Sequence, residues 1–369
     1  MKLYTLSTKD VVYRYYKSIV ILFAQPRKVL STSVFNGGYR DDLQAVFNHD
    51  CNPGAGMACT LRAPTYEEHM CLVADELGLD PKTASGMATA ASMENVAIQS
   101  QTYKDLTVTA LVTGGVEVNG GRVGDPATFY QPVEKSILAK PGTINIILVI
   151  DADMPAGTLA RALVTCTEAK TAALQELLAG SNYSNGLATG SGTDSSVIVA
   201  NPSSPLYLES AGKHSKLGEL IGCTVKQAVK EALQRQSGLT PAKQHSILRR
   251  LQRFGLTEEV LWKQGREGNR KYTEKAEYLA ILHQVDNHQQ LVAYTSLFVH
   301  LLDQMLWNLL PPGQVKQTGN ELLALAAANF NTSAPVLVRG ELDECLASWG
   351  QLINNIVETD NQRGNYTKI

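Results

Sequence analysis

Thr189-Gly190-Ser191-Gly192-Thr193-Asp194 sets three hydroxyls, two glycines and a carboxylate directly before the apolar run Val197–Ala200. The glycines can bring backbone N–H groups close to a ligand, and the hydroxyls and Asp194 can donate, accept or attack. The same residue types dominate ordinary turns, so this string by itself is equally a turn. Some chemistries are disfavoured at once. Neither Gly190 nor Gly192 opens G-x-x-x-x-G-K-[ST], and Gly115–Gly124 does not spell G-x-G-x-x-G after a strand, which argues against ATP and NAD. No G-x-S-x-G elbow, H-E-x-x-H or paired C-x-x-C is present.

The elements that must position this string follow from periodicity. A length of 369 residues with 44% hydrophobic content allows two or three domains, or one large domain with an appendage. The formal charge of −2 gives no electrostatic reason to expect nucleic acid or an anionic membrane as partner. The apolar run Ile19–Ala24 is too short to span a bilayer. Six cysteines (51, 59, 71, 166, 223, 345) are scattered without a disulfide pattern, so a reducing cytoplasm is expected.

Val11–Tyr16, Ile19–Ala24 and Val29–Val34 read as consecutive strands. Thr65 caps a helix with Glu68 at the capping-box position, and His69 reads as a surface or first-turn residue. Thr83–Ala97, rich in alanine and methionine, reads as helical. Leu106–Thr113 and the wholly apolar Ile144–Ile150 read as strands, the second covered on both faces. Asp153 is a cap candidate for a helix running to about Ala179, a strand follows at Ser195–Ala200, and a helix at Lys216–Gln236. The fold class expected is α/β, a covered mixed sheet with flanking helices, whose strand order is unreadable from sequence. A C-terminal all-helical segment follows, with helices near 241–254, 257–264, 274–309, 318–329 and 340–357, broken at Pro311-Pro312-Gly313. Domains are therefore expected at 1–236 and 237–369. Charge in the second balances, Lys243, Arg249, Arg250 and Arg253 read as a solvated basic face, and His283, His288 and His300 lack metal-ligand spacing. This segment is a candidate homodimer interface or lid.

Beyond the first string, Ser33–Gly38, Gly115–Gly121 with Gly124-Asp125, Pro141–Asn145, Thr167–Lys170 and Gly212–Gly222 occur in order. Together with Thr189–Asp194 they resemble the CbiZ family, adenosylcobinamide amidohydrolases of corrinoid salvage, over roughly residues 27 to 236. The resemblance implies a corrinoid as substrate and hydrolysis of the amide joining the aminopropanol arm to the corrin ring, giving adenosylcobyric acid. Asn36, Gly37, Gly38, Glu117, Asn119, Gly190 and Gly192 are its candidate substrate-binding residues. A lower-ligand motif Asp-x-His-x-x-Gly, expected of a corrinoid carrier, is absent around His49, His69 and His214. The alternative is a regulatory or binding protein that keeps the pocket without turnover.

Amide hydrolysis needs an activated nucleophile or water, donors for the oxyanion and an acid for the leaving amine. Three arrangements stay open. Ser191 or Thr193 attacks, with His214 or His49 as base and Asp194 orienting it. Lys213 serves as general base or proton donor. Otherwise His49, His214, Asp194 and Glu117 hold a divalent metal that activates water, so the metal ligands are unknown and no other cofactor is called for. Each arrangement needs loops at one sheet edge to bring residues 36, 49, 117, 194 and 214 together.

Overall fold

An unbroken run of seven buried residues, Ile144–Ile150, forms the strand around which the first part of the chain is built. The computed structural model describes residues 1–54, 61–127, 130, 142–267 and 274–362. They fall into two compact units, Met1–Thr240 and Pro241–Ile369.

In the first unit the strands are β1 (Lys2–Thr5), β2 (Val11–Tyr15), β3 (Ser18–Leu22), β4 (Lys28–Ser31), β5 (Gly38–Arg40) and β6 (Ala45–Asp50). Helix α1 (Tyr66–Glu76) precedes β7 (Ala84–Thr89), β8 (Ala97–Tyr103), β9 (Leu106–Gly114), β10 (Gly120–Gly121) and β11 (Ile144–Ile150). Helix α2 (Ala156–Glu176), β12 (Gly190–Ser191), β13 (Ser195–Ala200) and α3 (Lys216–Ser237) complete it. One sheet has the order β5-β4-β13-β11-β9-β8, and the other β1-β2-β3-β6-β7. Among the described strands of the larger sheet only β11 and β13 run parallel, Asn145 opposite Ser195, with α2 in their connection; in the smaller, β6 and β7 run parallel with α1 between them.

Alternation along β11 explains the layers, because successive side chains leave a strand on opposite faces. Ile144, Ile146, Leu148 and Ile150 join a core with Leu159, Cys166 and Ala173 of α2 and Ile221, Val225 and Val229 of α3. Ile147 and Val149 face the other way, into a core shared with Val12, Ile19, Ile21, Val46 and Met87 of the smaller sheet. The outer face of that sheet packs Val20 and Phe47 on Met70 and Val73 of α1. The layers therefore run helices, sheet, sheet, helix. At one end Arg27, 1% exposed, donates to Asp10 at 2.8 and 3.0 Å and to Asn201 at 3.1 Å, tying the first strands to the end of β13.

The second unit holds α4 (Ile247–Leu251), α5 (Glu258–Glu267), α6 (Lys275–Asp286), α7 (Gln289–Leu306), α8 (Pro312–Phe330) and α9 (Leu342–Gln362). Its core includes Trp349 stacked on Phe298 at 4.2 Å and the buried phenol of Tyr278, which donates to Asn354 at 2.7 Å.

The mixed sheet with flanking helices and the helical C-terminal segment are as expected, as is the capping box of Thr65 and Glu68. Several local readings are corrected. Thr83–Ala97 is β7, a short 3-10 turn at Met93–Asn95 and the start of β8, not a helix. Its small residues suit a strand wedged between layers, since a Cβ on Gly86 would lie 2.2 Å from the Phe47 ring. Tertiary packing here overrides helix propensity. Asp153 does not cap α2; it pairs with Lys28 at 2.6 Å, and Pro155 is the cap residue. His69 is in the first turn but buried, not on the surface. The helix expected at 274–309 is two, broken at Asn287-His288, and only Ile247–Leu251 of 241–254 is α-helical, followed by a 3-10 turn. Of the supposed solvated basic face, Arg253 is instead drawn in against Asp303, at 2.7 and 2.6 Å, with its side chain 7% exposed.

Candidate functional site

Strand β12 pairs antiparallel with β10, Gly120 opposite Ser191 and Gly121 opposite Gly190, so two of the distant glycine-bearing strings form one small ribbon. Asp194 organises its end. Oδ1 accepts the Ile144 N–H at 2.8 Å and the Ser191 hydroxyl at 2.7 Å, while Oδ2 accepts the Ser191 N–H at 3.0 Å and the Lys170 ammonium from α2. The Asp194 and Lys170 side chains are only 12% and 11% exposed. Gly190 is required by this pair: a Cβ there would lie 2.3 Å from Asp194 Oδ2 and 2.6 Å from Lys170 Nζ. Gly192, by contrast, is exposed, has no positive φ and has open space where a Cβ would be, so the backbone there is open to approach.

Around the pair, Thr143 Oγ1 donates to the Thr193 carbonyl at 2.8 Å, and Thr193 Oγ1 to the Gly142 carbonyl at 3.2 Å. Asn119 Nδ2 donates to that same carbonyl at 3.1 Å, and Asn119 Oδ1 accepts from the Tyr183 hydroxyl at 2.7 Å. With each carboxylate oxygen already accepting two donors, the arrangement fixes the Ser191 hydroxyl and the backbone of the loop.

The loop shares an edge of the two-sheet sandwich with a second group of residues. Asn145, next to Ile144 at the start of β11, donates to Asn48 Oδ1 at 2.8 Å and to the Ala88 carbonyl at 3.0 Å, and Asn48 donates to Thr113 at 2.8 Å. Asn48 and Ala88 lie near the carboxyl ends of β6 and β7, so those ends and the amino ends of β11 and β13 meet at one edge. Here a cleft of about 610 Å³ is lined by Lys17, His49, Cys51, Arg62, His69 and Glu76, among others. Such a crevice, outside the carboxyl end of a parallel strand and beside the first turn of the next helix, is where ligands usually bind in α/β sheets.

Within the cleft His49 Nδ1 lies 2.8 Å from the Ser18 hydroxyl. Burial, with His69, Arg62 and Lys17 adding positive surroundings, pushes its pKa down to about 4, so the ring is neutral at pH 7. His69 Nε2 is 3.4 Å from Cys51 Sγ, and its Nδ1 accepts the Arg62 N–H at 3.2 Å. Burial first, then the Arg62 charge, keeps the His69 pKa below its ordinary value. Lys17 pairs with Asp50 at 3.6 Å and Arg62 with Glu76 at 2.6 Å, which balances the local charge.

The remaining candidates lie elsewhere. His214 is exposed in a hollow of about 350 Å³ with Arg161, Ser210, Gly212, Lys213 and Ser215, and Lys213 pairs with Glu168 at 3.1 Å. Glu117 is exposed in the turn before β10. Asn36 anchors a turn by donating to the carbonyls of Pro81 and Ala84 at 2.6 and 2.7 Å, and Gly37 presses so close to the Ser33 carbonyl that a Cβ would meet it at 1.8 Å; Gly38, at φ 80°, opens β5. The structure thus brings Ser191, Thr193, Asp194, Gly190 and Asn119 together and sets His49 at the same edge. It does not join Asp194 to a histidine, nor His214 to the loop. Among the described residues no three His, Cys, Asp or Glu side chains converge as a metal site. Pro141, the first residue of one of the strings that carry the resemblance, lies outside the described residues.

Sequence reasoning gave no role to four residues found here. Lys170 and Asn145 close two of the strings read above and carried a signal, a cation inside the buried stripe of Cys166, Ala169 and Ala173 and a polar residue in an otherwise apolar strand. Cys51 and His69 had none, being 18 positions apart.

The sequence model of the CbiZ family, described as adenosylcobinamide amidohydrolase, matches residues 3–241. An uncharacterized protein of Methanocaldococcus jannaschii is 33% identical over 231 residues, which cover 60% of this chain and 87% of that protein. Among the described residues no helix is long and apolar enough to cross a membrane.

Proposed function

Because the chain belongs to the CbiZ family of adenosylcobinamide amidohydrolases, we propose that its first unit hydrolyses the amide joining aminopropanol to the corrin ring of adenosylcobinamide, releasing adenosylcobyric acid. Two features of this unit support the reading: a cleft of about 610 Å³ at the carboxyl end of β6, and a glycine-bearing loop before β13 held by Lys170 and Asp194. A cleft of that size takes an amide-bearing arm while the macrocycle rests outside on the rim. The open backbone at Gly192 suits close approach of a corrin, Ser191 and Thr193 offer hydroxyls to its amide side chains, and the buried Asn119 holds the loop beneath them. Asp194 acts as a positioning residue, holding the loop that makes those contacts. The hollow with His214 and Lys213 takes no step in this reading.

The test is direct. Purified full-length protein incubated with adenosylcobinamide is expected to yield equimolar adenosylcobyric acid and aminopropanol by liquid chromatography and mass spectrometry. Corrinoid recovered unchanged, with its absorbance spectrum shifted by binding, would instead establish a non-catalytic corrinoid-binding protein.

A further inference from the structure

We propose that the nucleophile of this hydrolysis is the thiolate of Cys51, held by the Nε2–H of His69 at the carboxyl end of β6. The inference rests on the amidohydrolase reading and names the group that attacks.

Three observations carry it. The first is the tautomer. His69 Nδ1 accepts the backbone N–H of Arg62 at 3.2 Å, so the ring proton of a neutral His69 sits on Nε2, 3.4 Å from Cys51 Sγ. Burial and the Arg62 charge keep the ring neutral, so it presents that donor without competing for a proton. A sulfur that receives a hydrogen bond from a fixed donor favours the anion.

The second observation is placement. Cys51 immediately follows β6, and His69 lies in the first turn of α1, the next helix, so both stand at the mouth of the parallel β6-α1-β7 unit and line its cleft. The third is contrast with other cysteines. Burial pushes the Cys166 thiol up to about 12 and Cys345 up to about 11, and it also raises Cys71, which suits packing and not attack. Cys51 is only half-buried and faces the cleft.

The chemistry balances with water as the only co-reactant. Sγ attacks the amide carbon, forming a C–S bond and an oxyanion. When the oxyanion collapses, the C–N bond breaks and the nitrogen takes a proton from water entering the cleft. The hydroxide so formed attacks the thioester, the C–S bond breaks, and the carboxylic acid passes its proton to the amine. Carboxylate, ammonium and the Cys51 thiolate remain. The charged groups facing the sulfur, Lys17 with Asp50 and Arg62 with Glu76, are paired and stay so through the cycle, with His49 neutral beside them.

Two measurements on the full chain test this. Iodoacetamide labelling of Cys51, mapped by peptide mass spectrometry against pH, is expected to reach half its maximal rate clearly below the roughly 8.5 of a free thiol, and His69→Gln to shift that midpoint upward. Cys51→Ala is expected to lower kcat/KM for adenosylcobinamide about 10³-fold or more while the corrinoid absorbance titration still shows binding. Acid-quenched wild-type protein under turnover should carry the added mass of the cobyric acid moiety on the Cys51 peptide. If wild-type protein turns over and Cys51→Ala, shown to bind corrinoid, does so equally well, the nucleophile assignment falls and the amidohydrolase reading stands. A labelling midpoint at or above that of a free thiol, unmoved by His69→Gln, also overturns it. If wild-type protein yields no product, the amidohydrolase reading falls and the catalytic role of Cys51 falls with it.

Discussion

Replacing Asp194 by asparagine probes whether the loop is held by charge. The carboxylate receives four donors, two on each oxygen. An asparagine keeps one acceptor oxygen, and its NH₂ must face either the Lys170 ammonium and the Ser191 N–H, or the Ile144 N–H and the Ser191 hydroxyl. In the first orientation two donors confront a donor. In the second the serine hydroxyl can turn round, but the Ile144 N–H is stranded and the Lys170 charge is left without a counter-ion. A stranded buried donor costs about 1–3 kcal/mol, and breaking a buried ion pair by removing one partner about 3–5 kcal/mol. The pair here is nearly nine-tenths buried, so the lower part of that range, about 3–4 kcal/mol, is expected for the substitution as a whole. With a urea slope of about 2–3 kcal/mol per molar, the midpoint for the first unit should fall by about 1–2 M. The tryptophans, Trp262, Trp307 and Trp349, all lie in the second unit and give an internal control. Far-ultraviolet circular dichroism should show the early transition while tryptophan fluorescence stays where it was. Lys170→Met alone should destabilise comparably, and the double variant by much less than the sum of the two. Additive effects across that cycle, or an Asp194→Asn midpoint within experimental error of wild type, would refute the charge-held loop.

Three other outcomes are expected. Gly86→Ala should destabilise by about 1–3 kcal/mol, because the new Cβ would meet the Phe47 ring at 2.2 Å; unchanged thermal unfolding would contradict that packing. Burial pushes the His49 pKa down to about 4 in the folded chain, against 6.5 for the ring exposed in the unfolded chain, so between those values the unfolded state binds more protons and stability falls as pH falls through that window. His49→Asn should flatten this part of the stability profile, and an undiminished slope in the variant would assign it to another group. A chain ending at Thr240 should fold alone, with Leu239 still buried in the core of α2 and α3; a molten near-ultraviolet spectrum would show that the helical unit is needed.

What could be read from the sequence divides by range. Ile144–Ile150, the Thr65 capping box and α3 are set by neighbours within a few residues, and local periodicity marks them. β7 escaped because its strand character comes from pairing with β6 and from Phe47, 39 positions away from Gly86, while its alanines and methionines favour a helix locally. The pairing of Gly120 with Ser191 and the approach of His69 to Cys51 are products of the assembled layers and have no periodic trace. The hydroxyl-rich string was visible as a string. That Asp194 would face Lys170 in place of a histidine was not, because a lysine in a helical stripe reads as a flaw in the stripe until its partner is known.

The amide of Asn145 has one further consequence. Its NH₂ group donates to Asn48 of β6 and to the carbonyl of Ala88 in β7, while its own strand is the centre of the larger sheet. Sliding either sheet by one residue would turn these groups onto the wrong faces and strand several buried donors and acceptors in an apolar gap. The two sheets are thereby held to one alignment, and β6, β7 and β11 are expected to behave as one foldon whose amides exchange with solvent when both sheets come apart together.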